Sequence, residues 1–590
     1  MQNLAVYLRK YRKESILAPL FKLLEALFDL FVPLVIARMI DTDAASNRHL
    51  IFLYFGVLLL LAFVGLGFSI VAQFFSAKAS VGFAGAVRQA VFDHIQTFSF
   101  TELDAIGSDT LITRLSDDVN QVQTGVNMGL RLLLRSPFIV LGAMVMAFTI
   151  NVRCALVFAV TIPILFGVTF LIMMLSIPLF GKVQAGLDRV TALTRENLTG
   201  VRIIRAFCRE QHCVEEFEEN NQALTHLNLF VGRLSALLNP LTYVLINIAT
   251  VVLIQRAGVQ VNLGSLPQGQ VVALYNYMLQ IIVEVIKLAA LIITLNKSLA
   301  CAKRVSGVLD IKTSMTYPAR TPSFHMEHTA APAVAFDDVS FTYQGAGAPS
   351  LSHISFSVMS GETVGIIGGT GSGKSTLVHL IPRFYDATEG SIRLNGCPIQ
   401  DFPHEILCRK IGIVPQRALL FQGSIRENMK WGNEHASDEA LWQALTCAQA
   451  REIVENKPDK LDFHLEQNGR NLSGGQKQRL SLARAIADAP SILIMDDTTS
   501  AVDMETEAKI RQHLNELDGD KTIVTIAHRI SSIKDSDLIL VLEHGHIVER
   551  GTHEELVAKH GRYWAIYHKQ LGAQSGQAQG YATDDGTDAR

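Results

Sequence analysis

Six apolar stretches follow one another in the first half of this chain, near residues 16–40, 51–75, 128–150, 154–176, 236–256 and 270–295. They constrain its fold more than any other feature. The hydrocarbon core of a bilayer is about 30 Å thick, and an α-helix crosses it in about 20 residues. Each stretch is about long enough to do so. A single run could be a buried helix of a soluble protein, but six in succession predict membrane helices. Glu25, Asp29 and Pro33 interrupt the first, and Glu284 and Lys287 the last. Composition agrees: 49% of the 590 residues are hydrophobic and only 18% are charged. The net charge of −3 supplies no basic field, so nucleic acid is not an expected partner. The seven cysteines are scattered without a CxxC pair, which argues against a disulfide framework or a zinc site.

The connections near 41–50, 151–153 and 257–269 are short, whereas those near 76–127 and 177–235 are long, polar and helical in pattern. Basic residues precede the first stretch (Arg9, Lys10, Arg12, Lys13) and fill the second long loop (Lys182, Arg189, Arg195, Arg202, Arg205, Arg209). They place both termini and both long loops in the cytoplasm, in a multi-pass protein of the inner membrane. Gln280, Glu284 and Lys287 share one helix face, as do Glu25 and Asp29. Two readings stay open for them: a polar wall of a translocation cavity, or a Glu284–Lys287 pair that satisfies itself.

Residues 1–310 thus form an expected membrane domain. Residues 311–333, with Pro318, Pro322 and Pro332, read as a linker. Residues 334–571 alternate short strands and helices, an α/β pattern. Residues 572–590 are polar and poor in apolar side chains, and read as a disordered tail.

Within the α/β region, Ile366 and Ile367 end a hydrophobic strand, and the loop from Gly368 leads into a helix. Gly368, Gly373, Lys374 and Ser375 fit G-x-x-x-x-G-K-[ST]. Glycines let backbone N–H groups turn toward phosphate oxygens, and the helix N-terminus favours the same anion. Lys374 can reach the outer phosphates, and the Ser375 hydroxyl can ligate Mg²⁺. Tyr343, in Phe341-Thr342-Tyr343, could stack on a base. Gln416 follows a strand, where its carboxamide could touch Mg²⁺ or water. Leu472-Ser473-Gly474-Gly475-Gln476 opens a basic helix and forms a second anion site. One chain does not easily wrap both sites around one triphosphate, whereas two nucleotide domains facing head to tail could. The apolar strand Ile492–Asp496 ends in a carboxylate, the expected partner of a Ser375-bound Mg²⁺. Asp497 and Ser500-Ala501-Val502-Asp503 follow. His528 ends the strand from Thr522 to Ala527, where an imidazole could reach a γ-phosphate.

In order and spacing, these motifs resemble those of an ATP-binding cassette (ABC) exporter half-transporter, and the resemblance extends from the basic N-terminal helix to about residue 570. It implies a domain-swapped bundle of six transmembrane helices, of the type IV exporter kind, joined to a RecA-like P-loop nucleotide domain. It also implies that two halves assemble in the bilayer, with each Mg·ATP held between the Walker motifs of one half and the signature of the other. By position, Tyr343 resembles the adenine-stacking residue. Gly368, Gly369, Thr370, Gly371, Ser372, Gly373, Lys374, Ser375 and Thr376 resemble Walker A, and Gln416 the Q-loop glutamine. Ser473, Gly474, Gly475 and Gln476 resemble the signature. Asp496 resembles the Walker B magnesium ligand, Asp503 the D-loop aspartate and His528 the switch histidine. The segments around Ser116-Asp117-Asp118 and Gly200-Val201-Arg202 resemble regions near coupling helices.

One position departs from the pattern. Where the family usually has a catalytic Glu after the Walker B aspartate, this chain has Asp497. Its carboxylate is about 1.5 Å short of the Glu position, a displacement of the size that can lower catalysis about 10²-fold. The substitution resembles the degenerate-site partner of heterodimeric bacterial exporters, which keeps an intact signature to complete the other half's site. The expected function is ATP-driven export of a hydrophobic or amphiphilic substrate by one half of a heterodimer. A homodimeric lipid, peptide or drug exporter, an ATP-gated regulator or channel, and a soluble ATPase with a buried helical half are the alternatives.

Overall fold

The computed structural model describes residues 2–42, 48–318, 331–498, 502–516 and 521–580. Residues 319–330 of the expected linker, Ser500 and Ala501, and residues 581–590 of the expected tail lie outside these. The chain divides into two compact units, Met1–Gln96 with Ser108–Ile311, and Thr97–Gly107 with Lys312–Arg590.

The first unit is helical. Its first long helix is α1 (Arg12–Asp41), followed by α2 (Arg48–Ile95). After the excursion of 97–107, which contains the short helix α3 (Phe100–Ile106), come α4 (Ser108–Ile150), α5 (Val152–Thr199), α6 (Val201–Ala206), α7 (Glu210–Asn262) and α8 (Gln268–Leu309). Five of them (α2, α4, α5, α7 and α8) are long and apolar enough to cross a membrane. The most apolar segment of α2 buries none of its residues in the chain, and Phe52 and Phe63 are 73% and 71% exposed. In a bilayer, lipid covers such a face. The sixth expected span, α1, is a 30-residue helix that carries Lys22, Glu25 and Asp29.

These charges are matched inside the unit. The Arg135 guanidinium on α4 donates to Glu284 Oε1 on α8 at 2.7 Å and to Asp29 Oδ2 on α1 at 3.0 Å. Ser136 Oγ donates to Glu284 Oε2 at 2.7 Å, Lys287 Nζ to Glu284 Oε1 at 2.9 Å, and Lys22 pairs with Glu25. The Glu284–Lys287 pair therefore forms but does not stand alone. Glu284 is 3% exposed and joins three helices through Arg135, a residue the sequence reading passed over because its partners are more than 100 positions away. Close packing fixes the same helices. Tyr277 Oη donates to Leu30 O at 2.6 Å, and a Cβ at Gly269 would lie 2.1 Å from Ala37 O.

Ser116-Asp117-Asp118, expected near a coupling helix, belongs to the first unit. Asp118 is bound by Arg304 at 2.5 Å and Arg114 at 2.8 Å. The part of this loop that joins the second unit is residues 97–107. Ser99 and Glu102 form a capping box that starts α3, and Gly107 (φ +80°) ends it. Phe100 packs on Phe384 with ring centroids 4.4 Å apart. By contrast α6, from the second such region, has no buried residue in this chain.

The second unit contains two main sheets. In chain order its strands are β1 (Val334–Phe341), β2 (Leu351–Val358), β3 (Thr363–Gly368), β4 (Glu389–Leu394), β5 (Ile411–Val414), β6 (Ile492–Asp496), β7 (Thr522–Ile526), β8 (Leu538–Glu543) and β9 (His546–Gly551). An antiparallel sheet runs β2-β1-β4 with Cys397–Pro398 at its edge; a six-stranded sheet runs β9-β8-β3-β7-β6-β5, parallel except for β9. Strands buried on both faces read as continuous apolar runs, as Ile492-Leu493-Ile494-Met495 does. The last helix spans Arg562–Gly580, so residues 572–580 are helical where composition led us to expect disorder. Extending a helix already anchored upstream needs no new nucleus, which is why a polar sequence can continue it.

Candidate nucleotide site

Strand register gathers the site. Ile526 pairs with both Ile366 and Asp496, and Val414 pairs with Met495. The glycine loop, Asp496, Asp497, Gln416 and His528 therefore leave the sheet at its carboxyl edge, where open α/β sheets bind ligands.

The loop between β3 and α9 (Lys374–Leu380) is built by its glycines in two ways. A Cβ at Gly368 would sit 2.2 Å from Leu542 O, and Gly373 (φ +95°) has Ser350 O at 2.8 Å from the same position, so both are needed to fold the loop. A Cβ at Gly369 would meet nothing within 4 Å. Glycine there leaves the backbone open to something outside the chain. Lys374 is 7% exposed and donates to Gly368 O at 3.0 Å and Gly369 O at 2.8 Å. Burial lowers its pKa, against the pull of Asp496 and Asp497.

Asp496 is buried and accepts from the Ser375 hydroxyl. Burial holds its carboxyl above the ordinary value; Ser375 and His379 oppose this and the neighbouring Asp497 adds to it. Asp497 takes a left-handed backbone (φ +50°), which Asp tolerates better than most residues, and its N–H continues the ladder to Ile526 O at 3.1 Å. Its Oδ2 lies 3.8 Å from His528 Nε2. Gln416 is exposed two residues past β5. Tyr343 packs edge-on to Phe341 and Tyr385, with its hydroxyl 3.2 Å from Thr376 Oγ1.

The Ser473 motif lies elsewhere in the unit. Ser473 and Gln476 form a capping box at the start of α10 (Gly474–Ala487), which occupies both side chains and leaves the glycine N–H groups at the helix end. A Cβ at Gly474 would meet nothing within 4 Å, so folding alone does not demand glycine there. Asp503 accepts from Thr506 N at 2.9 Å and caps the following helix.

A cavity of about 630 Å³ lies over the glycine loop, lined by residues 367–372, His528 and, from the last helix, Arg562, Lys569 and Gln570. None of Ser473 to Gln476 lines it. The sequence reading missed the last helix as a wall of this site. Its signal was the spacing of Tyr563, Ile566, Tyr567 and Gln570 at i, i+3, i+4 and i+7. Among the described residues, no three His, Cys, Asp or Glu cluster as a metal site. Ser375 and Asp496, hydrogen-bonded to each other, are the residues that could hold a divalent cation beside a bound phosphate.

Residues 15–285 match the ABC transporter transmembrane region, and residues 351–500 match the ABC transporter family model. The chain is 34% identical over 580 residues to the ABC transporter ATP-binding protein YfiB of Bacillus subtilis, covering 98% of this chain and 100% of YfiB. It is 34% identical over 497 residues to the ATP-dependent lipid A-core flippase of Desulfotalea psychrophila, covering 82% of this chain and 84% of that protein. Its fold is similar to that of a bacterial Atm1-family ABC exporter with ATP bound, with a TM-score of 0.78 and 24% identity over 95% of this chain and 98% of that one. The chain belongs to the ABC transporter family, as an exporter half-transporter whose ATPase domain is coupled to transport.

Proposed function

We propose that this chain is one half of a heterodimeric exporter that moves an amphiphilic, lipid-like substrate across the cytoplasmic membrane by alternating access, and that its own ATP site hydrolyses slowly. The observation that carries the pairing is Asp497, which follows β6 where the family has a longer carboxylate. The lipid-like substrate draws on flippase relatives.

In this reading Gly368 to Thr376 cradle the ATP phosphates and Tyr343 stacks on adenine. Ser375 and Asp496, with Gln416 nearby, would hold Mg²⁺, which would supply positive charge against the phosphates. Asp497 orients water, and His528 touches the γ-phosphate. Ser473 to Gln476 close on the nucleotide of the partner half, and Asp503 lies at the junction. The exposed Val201, Ile203 and Phe207 around α6 (39%, 66% and 74%) support docking of this tip on the partner's nucleotide domain, as a swapped dimer requires. ATP closes the two nucleotide domains and opens the membrane cavity outward; hydrolysis at the competent site resets it.

The test is the ATPase rate of the chain alone and with its partner, together with accumulation of a labelled lipid in inside-out vesicles. Low activity alone, high activity paired and uphill accumulation are expected. Equal activity of the homodimer would overturn the pairing, and ATP-dependent flux that only runs downhill would favour a channel.

A further inference from the structure

The last helix carries an apolar stripe whose final member is polar. Tyr563, Ile566 and Tyr567 pack into the core beside β8 and β3, and Tyr563 is fully buried. One position further along the same face stands Gln570. Its carboxamide spans the loop that carries His528: Nε2 donates to His528 O at 2.8 Å, and Oε1 accepts from Ile530 N at 2.9 Å. One partner is an acceptor and the other a donor, so only this orientation of the amide satisfies both. The start of the helix is fixed as well. Glu549 on β9 accepts from the Arg562 and Tyr563 N–H groups, the latter at 3.0 Å, and His553 bonds the Tyr563 hydroxyl at 2.7 Å. From that anchor to Gln570 is seven residues, or about 10 Å of helix. The helix is thus a rigid arm with a two-point grip on the His528 loop, and its Arg562, Lys569 and Gln570 line the same cavity as the glycine loop.

We propose that Gln570 is a positioning residue of the nucleotide site. It holds the His528 imidazole over the phosphate end of the cavity by clamping the main chain on either side of Arg529. The inference rests on the reading of His528 as a phosphate contact. Without the clamp, the loop after β7 keeps its strand but loses two fixed backbone bonds, and the imidazole, 48% exposed, keeps Asp497 Oδ2 at 3.8 Å from its Nε2 as a side-chain neighbour.

The test is a double-mutant cycle of Gln570→Leu and His528→Ala in the full-length purified chain, read by the dissociation rate of a fluorescent ATP analogue. This readout does not depend on how fast Asp497 supports hydrolysis. Expected is about five-fold faster release in either single variant, the ratio that one ordinary hydrogen bond corresponds to, and no further change in the double variant. Gln570→Glu, which keeps the acceptor for Ile530 but loses the donor for His528, should also release faster, and it serves if the Leu variant does not fold. If His528→Ala releases faster but Gln570→Leu does not, or the two effects multiply, the proposal is overturned while the reading of His528 stands. An unchanged rate in His528→Ala overturns both.

Discussion

The Tyr385 hydroxyl donates to Asp104 Oδ2 at 2.5 Å. This bond ties a residue that follows the glycine-loop helix to α3, the short helix between two long membrane helices. Burial, with Asp104 acting in the same direction, pushes the Tyr385 phenol well above its ordinary range, so it remains a donor throughout the physiological pH range. Tyr385→Phe keeps the ring packed against Phe100 and Tyr343 but removes a bond to a charged acceptor, of about 1.5–3 kcal/mol. We expect ATP affinity to change less than about two-fold, because Tyr385 is not in the glycine loop. Transport per ATP hydrolysed should fall several-fold. Parallel measurement of nucleotide binding and vesicle transport checks this, and an equal loss in both would remove the coupling role.

Asp497→Glu lengthens the carboxylate next to Asp496. Turnover at this site should rise, by up to about 10²-fold if reach alone limits it. Phosphate release from the assembled transporter is the measurement. An unchanged or lower rate would mean that Asp497 already serves as an adequate base.

Asp496→Asn should separate folding from metal binding. Burial raises the Asp496 pKa, so its ionised form opposes folding at neutral pH, and that penalty is relieved as pH falls through the folded-state pKa. Asn can still accept from Ser375 without the buried charge. The variant should melt at a higher temperature than the parent in EDTA and gain no extra stability from Mg²⁺ with ATP, as thermal unfolding in both conditions would report.

Glu284→Gln should weaken the membrane unit by leaving Arg135 and Lys287 without their shared carboxylate. Breaking a buried pair from one side typically destabilises by about 3–5 kcal/mol. Combining it with Arg135→Met should restore part of the loss, since no charge is then stranded between these two positions. Melting temperatures of the two singles and the double in detergent give the coupling directly; simple additivity would mean that the pair at 2.7 Å does not act as a unit.

Much of the nucleotide site was legible because its parts are local. A strand, a glycine loop and a helix dictate one another within a dozen residues, and an apolar strand ending in Asp496 needs no distant partner to be read. The capping box at Ser473 and Gln476 is local in the same way. Arg135 was not legible, since a charged residue within an apolar run acquires meaning only when α1 and α8 bring Asp29 and Glu284 to it. The Asp118 ion pair was not legible for the same reason: its partner Arg304 lies 186 positions away.

The sequence by itself determined the six apolar runs, the α/β half and the glycine loop between its strand and helix, because periodicity and turn chemistry act over a few residues. Tertiary structure alone decided that residues 97–107, not 116–118, join the nucleotide unit, and that buried charges on α1, α4 and α8 neutralise one another. It also decided that a glutamine near the end of the last helix grips the His528 loop. Each of these depends on which distant segments are packed together, and a one-dimensional pattern carries no record of that distance.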